Sequence, residues 1–131
     1  MQVIERKTIE MKRDMDLIRD LLLYVENDRK FNGQTEFILD NSREIGMPDR
    51  SIEEITYHVV LLVKAGYLEG TADSMWPVIS RLTWQGHEFL DNIRDQDVWS
   101  KTKERIKGLQ SVAISIIAAI AEAEVKKKFG L

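Results

Sequence analysis

The chain has 131 residues, 44% hydrophobic and 31% charged, an ordinary balance for one domain with a real core and too short for two. Its 19 lysines and arginines against 22 acids leave a net charge of −3, which argues against a protein that holds nucleic acid by bulk charge, since phosphate affinity comes largely from basic side chains displacing counterions. It contains no cysteine, which excludes disulfides, thiolate metal sites and cysteine nucleophiles and fits a reducing, cytoplasmic setting.

Met1 to Lys12 carries alternating charges and no apolar run of the kind a signal peptide needs, and Val3, Ile4, Thr8 and Ile9 stand without a breaker among residues 1–10. They either extend the first helix upstream or form a leader. From Met11 to Lys30 the spacing predicts a helix, with Met15, Ile18, Leu22 and Val25 on one face and Leu21 beside them. Asn32-Gly33 is a turn signal. Gln34 to Leu39 reads as a short strand with Phe37 and Leu39 on one side. Asn41 to Ile45 reads as a short helix ended by Gly46-Met47-Pro48, because proline pushes its predecessor out of helical geometry.

Ser51 to Glu69 is the most informative segment. Ser51 is placed to cap a helix, Glu54 stands at the capping-box position, and Ile52, Ile55, Val59 and Leu62 form one apolar stripe. Ala65-Gly66 stops the helix and Tyr67-Leu68 starts an extended segment. Helix, Ala-Gly, strand is the local grammar of a winged helix-turn-helix domain. A polar turn at 70–74 and a returning strand from Trp76 to Leu82 complete a hairpin, the wing. Thr83 caps a helix over Trp84 to Arg94 with Phe89, Leu90 and Ile93 inward. After an interruption at Asp95-Gln96-Asp97, Val98 to Lys107 continues as a charged helix ended by Gly108. The last helix, Ser111 to Lys128, is so apolar from Val112 to Val125 that burial on most sides is expected, against the domain, a second copy, or both. Its most apolar run, ten residues from Val112 to Ala121, is about half the length needed to cross a bilayer, so no membrane partner is expected.

The expected fold class is α+β and mostly helical: a winged helix-turn-helix with a small β-hairpin wing and additional C-terminal helices. Residues 1–10 are an N-terminal extension, 11–94 the winged-helix domain, and 95–131 a C-terminal helical extension for packing or dimerisation. The chain also resembles a bacterial and phage family catalogued as domain of unknown function 2513. The residues that carry the resemblance are Met11 to Arg19, Ile55-Thr56-Tyr57-His58-Val59 with Leu62 and Ala65-Gly66, Arg81 to Asp91, Ile93-Arg94-Asp95 and Val98-Trp99. The resemblance implies a winged-helix fold and a phage or prophage context, and implies no activity. Family members usually begin at the methionine matching Met11, so residues 1–10 depart from the pattern.

The favoured expectation is a DNA-binding transcriptional regulator whose partner is double-stranded DNA. Its contact surface would be Arg50, Ser51, Thr56, Tyr57 and Lys64, with Arg81 on the wing touching phosphate. The charge pattern is a weakness of this reading, because Asp49, Glu53 and Glu54 outnumber the bases there. Basic residues concentrate instead at Lys101, Lys103, Arg105 and Lys107 and at Lys12, Arg13 and Arg19. The alternative is a homo-oligomeric interaction module of the same fold that does not bind DNA. It rests on Val60, Val63, Met75 and Trp76, and on a homodimer through Ile114, Ile117, Ile120 and Ala121 of the last helix. Glu54 with His58 and His87 with Asp91 each stand four apart on one helix face, a spacing that suits a metal, but structural histidines are the plainer account. No metal, no cofactor and no enzymatic reaction are expected, because no phosphate loop, nucleophile elbow or metalloprotease motif is present. Trp84 and Trp99 are expected to anchor the core.

Overall fold

The computed structural model describes residues 12–73, 76–109 and 112–131. Asp14 sets its first element: with extended backbone, it accepts a hydrogen bond on its carboxylate from Leu17 N, and helix α1 runs Met15–Asn27 behind that cap. Leu17, Ile18, Leu21, Leu22 and Val25 are its buried residues. The helix is shorter than the predicted Met11–Lys30 because local side-chain bonds compete with it at both ends. Asp14 takes the start, and Asp28, itself extended, accepts from Lys30 N in a turn.

The predicted strand at 34–39 contracts to β1, Phe37–Ile38, since Asn32 Oδ1 draws Gln34 N into a turn. The alternation holds: Phe37 is half-buried, Ile38 exposed and Leu39 buried. The expected helix at 41–45 is only a turn. Asn41 Oδ1 accepts from Arg43 N and Glu44 N, and Gly46, at φ +78°, ends it before a second turn can form.

Helix α2, Ile52–Lys64, matches its prediction. Ser51 Oγ accepts from Glu54 N at 3.1 Å, and Ile55, His58, Val59 and Leu62 are buried. Gly66 (φ +84°) turns the chain, with Gly66 N bonded to Val63 O and Tyr67 N to Leu62 O, the double closure that satisfies a helix's last carbonyls. Strands β2 (Leu68–Thr71) and β3 (Val78–Leu82) form the antiparallel hairpin. Met75, expected at its tip, lies outside the described residues. The sheet order is β1-β3-β2, with Phe37 opposite Ile79 and Leu68 opposite Leu82.

Thr83 ties the hairpin to the third helix. Its hydroxyl accepts from Gly86 N and donates to Gly66 O, which joins the start of α3 (Trp84–Ile93) to the end of α2. Trp84 is not the core anchor expected of it. It stands on the side of α3 opposite Gly86, Phe89, Leu90 and Ile93 and is 76% exposed. Helix α4, Gln96–Ile106, starts behind the Asp95 cap and buries Val98, Trp99 and Thr102. Trp99 is a core anchor, with its indole N–H donating to Asp16 Oδ1 at 2.8 Å. Helix α5, Ile114–Phe129, packs on α3 and α4. It buries one stripe, Ile117, Ala121 and Glu124, and not most of its circumference. Contacts with two helices cover one side of α5, and the alanines and isoleucines elsewhere on it stay partly open; Ile116 is 52% exposed. One hydrophobic core joins α1, α2, the sheet, α3, Trp99, Ile117 and Ala121.

Candidate interaction surface around helix α2

With 55, 58, 59 and 62 turned inward, helical geometry puts Glu53, Tyr57, Val60 and Lys64 on the opposite face of α2. Glu53 and Lys64 are exposed, and Tyr57 and Val60 half-buried. The hairpin comes directly after this helix.

The candidate DNA contacts do not form one basic surface. Arg50 Nη1 lies 2.6 Å from Asp14 Oδ2 and 3.3 Å from Glu54 Oε2, so its guanidinium is committed to two carboxylates. The effect on Asp14 is legible: burial pushes its carboxyl up, but the Arg50 hydrogen bond and charge, with the Leu17 amide, outweigh burial and hold it below the ordinary value. Ser51 is occupied as the cap. Thr56 turns inward, its Oγ1 buried without a hydrogen-bond partner among the described residues. Arg81 Nε pairs with Glu69 Oε2 across the hairpin at 2.8 Å. Among the described residues, Tyr57 and Lys64 alone of the six lie on the outer face of α2 with no acid or cap bonded to their polar groups.

The other bases divide. Lys101 pairs with Asp97, Lys103 with Asp16 and Arg105 with Glu124, while Arg19 donates to the carbonyls of Ile93 and Arg94. Lys12 and Arg13, however, come to the flank of α2, where Arg13 donates to Val112 O at 2.8 Å. They border a groove of about 720 Å3 whose floor includes Met15, Tyr57, Leu61, Ile106, Leu109 and Ile117. No motif announced this groove. The available signal was Leu61, an apolar residue one helical turn from Tyr57 and off the buried stripe.

Of the residues expected at a dimer contact, Ile117 (1% exposed) and Ala121 (0%) are spent on the chain's own core. Ile114 and Ile120 are half-buried. Nor does α5 cover Val60 and Val63, since its main neighbours are α3 and α4.

The histidine pairs are not brought together as ligands. His58 is buried, with Nε2 accepting from Asp14 N at 2.8 Å and Nδ1 2.7 Å from Glu54 O, so both ring nitrogens are engaged and the bonds assign the proton to Nδ1. His87 is half exposed beside Glu26, and Asp91 bonds Arg94. Among the described residues no group of three or more histidines and carboxylates is placed to hold a metal, and no helix is long and apolar enough to cross a membrane.

Against known proteins, the chain belongs to the family described as "Hypothetical protein (DUF2513)", whose pattern matches residues 12–113. It is similar to an "Uncharacterized protein" of Haemophilus influenzae, 37% identical over 112 residues that make up 82% of this chain and 88% of the relative. No solved structure matches the chain.

Proposed function

We propose that the chain is a winged-helix domain, with α2 in the recognition-helix position and β2–β3 as the wing, and that it works as a self-associating interaction module of phage or prophage type. The observation that carries this reading is the fate of the basic residues. Arg50 and Arg81 are neutralised within the chain, while Tyr57 and Leu61 open onto a groove floored by apolar side chains and bordered by Lys12 and Arg13. A surface built this way receives apolar side chains more readily than phosphates. Beyond Val112 at the groove, α5 carries Ile116 and Ile120 one helical turn apart outside its buried stripe, so pairing about a two-fold axis would cover the groove and these residues together. The reading assigns the chain no catalytic reaction.

Sedimentation velocity over a wide concentration range tests it. Wild type is expected to dimerise, and Leu61→Asp and Ile116→Asp to be monomers with near-native melting temperatures. A wild type that stays monomeric at the highest concentration would overturn the reading.

Double-stranded DNA is the second reading, favoured by the placement of α2 directly before the hairpin, with Tyr57 and Lys64 outward and Arg13 beside them. A low-salt gel shift separates the two. Retardation abolished by Tyr57→Ala and Lys64→Ala would select DNA; no retardation at tens of micromolar rejects it.

A further inference from the structure

Where α1 hands over to β1, three aromatic rings converge on a single ammonium. Lys30 Nζ stands 5.1 Å from the ring centre of Phe31, 5.4 Å from that of Phe37 and 5.9 Å from that of Tyr24. The rings are arranged as a box. Tyr24 and Phe37 each meet Phe31 edge-on, at interplanar angles of 71° and 81° and centre distances of 5.7 and 5.8 Å, so Phe31 is a floor between two walls. Asp28 completes it with a carboxylate oxygen 3.9 Å from the ammonium. Backbone bonds fix the arrangement: Lys30 N and Phe31 N both return to Asp28, to its side chain and its carbonyl.

The box suits its present occupant poorly. A primary ammonium is compact, strongly hydrated and carries three N–H donors. Ring faces offer those donors no lone pairs, and Asp28 stands beyond ordinary hydrogen-bond distance. A methylated ammonium is larger, weakly hydrated and short of donors, and gains from ring faces what it cannot gain from acceptors.

We propose that Tyr24, Phe31 and Phe37, with Asp28, form a recognition site for a methylated ammonium group, and that Lys30 occupies it in the free chain as a built-in surrogate. The ligand chemistry is a quaternary cation, carried on a small molecule or on a trimethylated lysine side chain. It enters as Lys30 swings out, and Asp28 supplies the counter-charge. The site is independent of the groove beside α2.

The test is a titration of wild type and Lys30→Ala with tetramethylammonium chloride, read by NMR shifts of the aromatic ring protons, with ammonium chloride as control. Lys30→Ala is expected to bind tetramethylammonium saturably and at least roughly tenfold more tightly than wild type, and to leave ammonium unbound. Removing a wall, by Phe37→Ala or the milder Tyr24→Leu in the Lys30→Ala background, is expected to lower that affinity by roughly tenfold; Tyr24→Leu carries this arm if Phe37→Ala does not fold. Choline and a trimethyllysine peptide, titrated in parallel, distinguish the two sources by which binds more tightly. No saturable shift in Lys30→Ala up to about 100 mM, equal binding of ammonium, or affinity indifferent to loss of a wall would each overturn the proposal.

Discussion

Two histidines that look alike in the sequence should respond to the same substitution by very different amounts. His58 is 1% exposed and ties the start of α1 to α2: Nε2 accepts from Asp14 N, Nδ1–H donates to Glu54 O, and the ring meets Tyr57 edge-on at 5.5 Å. His58→Ala removes two hydrogen bonds worth about 1 kcal/mol each. It also leaves a void in packed surroundings, adding about 1–2 kcal/mol. The sum is a loss of about 3–4 kcal/mol, and for a urea dependence near ~2 kcal/mol per M the midpoint should fall by about 1.5–2 M with no change in slope. His87 has a side chain 51% exposed and one ring nitrogen 3.8 Å from Glu26. His87→Ala should therefore cost less than about 0.5 kcal/mol. Urea unfolding followed by tryptophan fluorescence measures both. Equal shifts, or a loss under about 1 kcal/mol at His58, would refute the account of His58 as the clasp between the two helices.

Thr56→Val replaces a buried hydroxyl, without a hydrogen-bond partner among the described residues, with a methyl group of the same shape, and is expected to stabilise the fold by about 1 kcal/mol in the same assay. Gly86 lies in α3, where alanine is normally preferred, but a Cβ there would overlap the carbonyl oxygen of Tyr67; Gly86→Ala should lower the melting temperature, and a rise would refute that close approach. Arg94 hydrogen-bonds Glu26 through both guanidinium Nη atoms and holds its carboxyl below the ordinary value, outweighing the opposing effect of burial. A folded-state value below the unfolded one contributes stability above the unfolded value of 4.5 and loses it as pH falls through the folded value. Wild type should accordingly be more stable than Glu26→Gln at neutral pH, with the gap closing as pH falls below 4.5 and through the lowered folded-state value in urea titrations across pH. A gap independent of pH would refute it.

What could be read along the chain was whatever neighbours within one turn decide. Ser51, the 55-59-62 stripe and Gly66 define α2 locally, and Thr83 does the same for the start of α3, so both came out where expected. Asn41 misled for a local reason too. Its side chain satisfies the amides of Arg43 and Glu44, which gives a turn the appearance of a helix start and leaves nothing to propagate it. Trp84 misled because size and apolarity favour burial, whereas its angle around α3, fixed by Phe89, Leu90 and Ile93, points it to water. The apolar run of α5 was visible, but burial depends on how many neighbours reach a helix, and only α3 and α4 reach this one extensively.

The character of the α2 surface was decided by partners far away along the chain. Arg50 is neutralised by Asp14, 36 positions earlier, and Arg81 by Glu69 through the register of the hairpin. Lys12 and Arg13 reach the same flank only because α1 packs on α2, and Ile106 and Leu109 come to it from the end of α4 and the turn after it, where Gly108 has φ +88°. A count of bases near α2 in the sequence weighs Arg50 and Lys64 equally. In the fold the first is bound to two carboxylates and half-buried, and the second stands exposed in the helix's last turn, where the backbone dipole already favours a cation. For a partner arriving at α2, the available charge is therefore less than the residue list implies, and the apolar contact offered by Tyr57 and Leu61 is greater.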